Sequence, residues 1–85
     1  MIISIEQKNK FLETIDYEFI LSNMLGVESF KTFKEADKHI IRIKGSSDDL
    51  MAFADLVEEQ FGDAKGCFKF CTAIREKIAT STKMQ

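Results

Sequence analysis

The chain has no proline and no tryptophan, one histidine and two cysteines in 85 residues. These shortages exclude most of the devices that staple a small domain. A structural zinc site needs four ligands, usually in close pairs. Cys67 and Cys71 with His39 make three at most. A dithiol redox motif has two residues between its cysteines, and here there are three (68–70). No run approaches the roughly 18–20 apolar residues of a membrane span. The opening Met1-Ile2-Ile3-Ser4-Ile5 is too short for a signal peptide and is followed by Glu6, Lys8 and Lys10. The expectation is a cytoplasmic protein with no membrane association. Its 85 residues are one domain, residues 1–85, with a frayed end from Thr80 to Gln85.

What is present is apolar and aromatic. Hydrophobic residues make up 45% of the chain and eight are Phe, which rules out a disordered chain. So many large apolar side chains exceed the needs of one small core, and a homodimer is expected. The net charge of −2 hides an asymmetry. Ser46 to Asp63 holds six acids and no base, whereas Lys65 to Gln85 holds five bases and one acid, Glu76. Two element faces that attract each other account for such blocks, as does a basic surface for an anionic partner.

The pattern along the chain predicts an α+β fold: N-terminal helices, a β-hairpin, then a βαβ-like unit with a C-terminal helix. Ser4-Ile5-Glu6-Gln7 has the form of a capping box, and Ile5, Leu12, Ile15 and Phe19 follow at helical spacing, predicting a helix from Ile5 to Ile15. Tyr17 to Leu25 fits a helix stopped by Gly26, or a strand through Tyr17, Phe19 and Leu21. Ser29 to Lys44 alternates as a hairpin around the polar turn Glu35–Lys38. His39, Ile41 and Ile43 share one face of it, and Ile40, Arg42 and Lys44 the other. Ser46 or Ser47 caps a helix with Asp48 and Asp49 in its first turn. Its stripe is Leu50, Phe53, Ala54, Val57 and Phe61, and Gly62 ends it. Cys67 to Cys71 reads as a short strand turning into a helix near Thr72; as a helix throughout, it would align Cys67, Cys71, Ile74 and Ile78.

No constellation points to catalysis. A Cys–His pair lacks an orienting third group and an oxyanion site. Asp48 and Asp49 are explained by the helix start they occupy, and they would repel a phosphate from Gly45-Ser46-Ser47. The expectation is a protein that is not an enzyme and takes no cofactor or metal.

Lys65-Gly66-Cys67-Phe68-Lys69-Phe70 resembles the octamer of RNA-recognition-motif domains, which opens on a base and a glycine and alternates aromatics that stack on bases. Without the family, the same chemistry is open to these residues: Phe68 and Phe70 present π faces while Lys65, Lys69 and the hairpin bases Lys31, Lys34, Lys38, Arg42 and Lys44 meet phosphates. The competing account puts both Phe residues in the core. Phe30 and Phe33 also fall beside bases, which marks the β-rich stretches as the working face. In its brevity and its Lys-, Ile- and Phe-rich, proline-free composition, the chain resembles small accessory proteins of tailed bacteriophages, many of which neutralise host defence factors or toxins. The resemblance implies a binding protein that inhibits or modulates a host protein. The expected partner is a protein or a protein–RNA complex, with RNA binding as the alternative function.

Overall fold

Isoleucines at alternate positions decide how the chain begins. In the computed structural model, which describes residues 1–8 and 10–83, Ile2–Gln7 is a strand, β1, whose Ile3, Ile5 and Gln7 are buried while Ile2 and Glu6 are exposed. The helix expected from Ile5 to Ile15 does not form. Ser4 lies mid-strand opposite Arg42 instead of capping. The helical spacing of Ile5, Leu12 and Ile15 comes from separate elements: β1, a one-turn helix α1 (Phe11–Thr14), and an extended residue at Ile15 with φ −117° and ψ 152°. Energetics favour the strand. A cap is worth about 1 kcal/mol, whereas burying each isoleucine contributes about 1.5–3 kcal/mol.

Tyr17–Ser22 is a helix, α2, and this decides between the two sequence readings. Asp16 caps it by accepting from Phe19 N at 3.1 Å. Gly26 is not its stop: the helix closes at Asn23, whose Nδ2 donates to Phe19 O at 2.7 Å. Among the described residues only Ala36 and Gly66 have positive φ. A β-carbon on Gly26 would meet the carboxylate of Asp49, a side-chain end that could turn away.

The hairpin forms as expected, from Val27–Glu35 (β2) and Lys38–Gly45 (β3), with Ala36 at φ 57° in its turn. The sheet is antiparallel throughout, in the order β1-β3-β2. Its register puts three cross-strand rows on the inner face: Ile3–Ile43–Phe30, Ile5–Ile41–Thr32 and Gln7–His39–Lys34. The first two rows are mainly apolar, and the third is polar.

Ser46 caps α3 (Ser47–Phe61) by accepting from Asp49 N at 3.2 Å. Leu50, Phe53, Ala54 and Val57 are all buried, as the stripe predicts, and Phe61 is partly so. After a turn with Gly66 at φ 93°, α4 runs from Cys67 through Lys83. The expected strand at Cys67–Cys71, and with it the βαβ-like unit, is therefore absent. Cys67, Phe70, Cys71, Ile74 and Ile78 instead form one buried helical face. The expected frayed end is helical through Lys83, and residues 84 and 85 lie outside the described residues. Descending contacts, Cys67 with Val57 and Cys71 with Ala54, make α3 and α4 an antiparallel pair.

All four helices contribute to one core with Ile3, Ile5, Ile41 and Ile43. Ile40 is buried but stands outside that core, because its side chain is on the other face of the sheet. The architecture is thus two layers, with every described helix on one side of a three-stranded sheet.

Candidate interaction surface

The helix-free face collects the alternate side chains of the three strands. Across it run Ile2–Lys44–Ser29, Ser4–Arg42–Lys31 and Glu6–Ile40–Phe33. The Arg42 guanidinium carbon sits 5.7 Å from the centre of the Phe33 ring, a cation–π contact of about 0.5–1 kcal/mol at such a site. Ile40 lies between Glu6 and Phe33 and retains only 5% exposure. This face therefore carries a small apolar centre with charges around it.

Those charges are not all neutralised. Lys44 pairs with Glu28 at 3.3 Å and Lys38 with Glu6 at 3.6 Å, exposed pairs worth less than about 1 kcal/mol each. Lys31 and Arg42 are register neighbours, and neither has an ion-pair partner among the described residues. Strand alternation alone holds these two cations side by side.

The sequence-predicted site residues divide into separate groups. Lys31, Arg42 and Lys44 share the helix-free face. Lys34 falls on the inner side and pairs with Glu13, whose carboxyl the lysine holds below its usual range. Lys65 and Lys69 belong to the helical layer. The paired stacking platform of Phe68 and Phe70 does not exist: on a helix the two point apart, so Phe68 is 77% exposed and Phe70 fully buried. Phe70 packs with Phe11 at 5.5 Å and Phe53 at 6.1 Å between ring centres. Sequence reading missed the contribution of β1 to the surface (Ile2, Ser4, Glu6). The alternation of Ile3 and Ile5 was the available signal.

The acidic and basic blocks meet through Arg75 rather than through Lys65 or Lys69. Its two terminal nitrogens donate to Asp55 and Glu58, each at 2.7 Å, across the α3–α4 pair. These carboxylates push the guanidinium further toward its charged form, Glu58 most strongly.

The two thiols clasp the same pair of helices from inside. Cys71 Sγ lies 3.4 Å from Ala54 O, Cys67 Sγ 3.8 Å from Val57 O, and the sulfurs are 3.9 Å apart. Burial first, and then Cys67, push the Cys71 thiol up to about 12, so it carries little thiolate near neutrality. Cys67→Ala with Cys71→Ala should keep the fold at a cost of about 1–3 kcal/mol. An unfolded thiol ionises near 9 and the folded Cys71 near 12. Above 9 only the unfolded chain loses this proton, so its contribution to stability falls as pH rises toward 12 and is constant below 9. Urea midpoints at about pH 8 and pH 10 should therefore drop more for the parent than for the double variant; equal drops would remove the thiol from this account.

No group of three or more His, Cys, Asp or Glu that could hold a metal ion occurs among the described residues. None of the described helices is long and apolar enough to cross a membrane. No family model, curated protein or solved structure matches the chain.

Proposed function

We propose that this chain is a non-enzymatic binding protein that inhibits or modulates a protein partner by direct contact, with the helix-free sheet face as its working surface. The observation that carries the reading is the unpaired Lys31–Arg42 couple beside Phe33 and Ile40 on a face no described helix covers. An aromatic under a guanidinium supplies a rigid anchor, and unneutralised cations select an acidic partner surface and speed encounter. The compositional resemblance to phage accessory proteins supports a host defence factor or toxin as the partner, met in the cytoplasm. Phe19, Leu25 and Phe68 remain exposed, and covering them by self-association into a homodimer is part of the same proposal.

RNA is the second reading, favoured by the Arg42–Phe33 stack on an open antiparallel sheet. Affinity capture from the native host with parent and Lys31→Glu/Arg42→Glu chains, each with and without nuclease, separates the two. The expected result is one protein retained by the parent after nuclease and weakened at least about tenfold by the double reversal, with thermal stability nearly unchanged. Loss on nuclease treatment would transfer the reading to RNA. Undiminished capture by the variant would remove the sheet face from the function.

A further inference from the structure

The inner face of the sheet changes character at one end. Two mainly apolar rows give way to Gln7–His39–Lys34. Beside this row is a cavity of about 340 Å³ lined by Lys8, Lys10, Lys34, Lys38, His39, Ala36 and the carboxylates of Glu13 and Asp37. Four lysines against Glu13, Asp37 and the Glu6 that pairs with Lys38 leave the basin net positive. Lys34 and Lys38 are held by Glu13 and Glu6, whereas Lys8 and Lys10 have no ion-pair partner among the described residues.

We propose that this basin binds a phosphate-bearing small molecule. The unpaired lysines select an anion, and a phosphate monoester offers their donors three terminal oxygens where a carboxylate offers two. Lysines act on phosphate as point charges with three donors each. His39 adds a donor. Its Nδ1 is buried without a hydrogen-bond partner. None of this depends on the sheet face, whose unpaired cations Lys31 and Arg42 do not line the cavity.

The test is an NMR titration of the isolated chain with inorganic phosphate and with glycerol phosphate at about pH 7.5, where monoesters are largely dianionic, at ionic strength held constant with chloride. Saturable shifts at Lys8, Lys10 and His39 are expected, with a dissociation constant below about 5 mM. Lys8→Glu/Lys10→Glu should weaken binding at least about tenfold. Lys8→Arg/Lys10→Arg and Lys31→Glu/Arg42→Glu should leave it within about threefold of the parent. The proposal is overturned if chloride produces the same shifts, or if the Lys8/Lys10 reversal has no effect. It is also overturned if an oligonucleotide without a terminal phosphate binds here and the two phosphates do not.

Discussion

Phe70→Ala should destabilise the domain by about 3–5 kcal/mol, the usual cost of emptying an aromatic core position. A domain of this size has a total stability of roughly 5–10 kcal/mol, so most of the margin would go. Phe70 is fully buried and is the ring that Phe11 and Phe53 both pack against, from α1 and α3. Its loss opens a cavity where three elements meet. Phe68→Ala, two residues earlier, should change stability by less than about 0.5 kcal/mol, because that side chain stands largely in solvent. Chemical denaturation of both variants measures the contrast. Equal losses would mean that residues 67–71 do not run as a helix.

Gly45→Ala is expected to cost about 2–4 kcal/mol although it adds one methyl group. A β-carbon there would lie 2.7 Å from Gly26 O and 3.1 Å from Val27 Cα. Both are backbone atoms, so no side chain can rotate away. The crowded carbonyl accepts from Ser46 N at 3.1 Å, and Gly45 itself exchanges bonds with Met1, N to O at 2.9 Å and O from N at 2.8 Å. The irregularity between Val27 and Ser29 adjoins the same point. Displacing Gly26 would disturb β1, the start of β2 and the cap of α3 together. A denaturation midpoint unchanged by the substitution would show that the backbone yields without penalty.

How far the sequence could be read depended on whether the deciding contacts were local. Residues 46–62 contain their own cap, first-turn carboxylates and apolar stripe, and α3 forms there. The hairpin likewise carries its alternation and its turn within one stretch. β1 does not. Ser4 and Gln7 satisfy a helix signature that competes with the alternation of Ile3 and Ile5, and Ile41 and Ile43, far along the chain, decide for the strand. Cys67–Cys71 obeys both periods, and the α3 face, which offers Ala54 O and Val57 O to the two thiols, selects the helix. The candidate surface followed the same division. Lys31, Arg42 and Lys44 could be placed on one sheet from alternation. Lys65, Lys69 and Phe70 were joined to them only through a strand that α3 prevents.

The strand order also governs how the chain meets its own biosynthesis. β1 pairs with β3 alone, and residues 8–37 separate the two. β2 and β3 close on each other across a two-residue turn as soon as both exist, a local step with little loop entropy to overcome. β1 leaves the ribosome before β3 and has no hydrogen-bonding partner until β3 has followed. For that interval Ile2-Ile3-Ser4-Ile5 is an open apolar edge, the kind of segment that chaperones hold and that aggregates when they do not. Translation halted before Ile43 would leave that edge permanently unprotected.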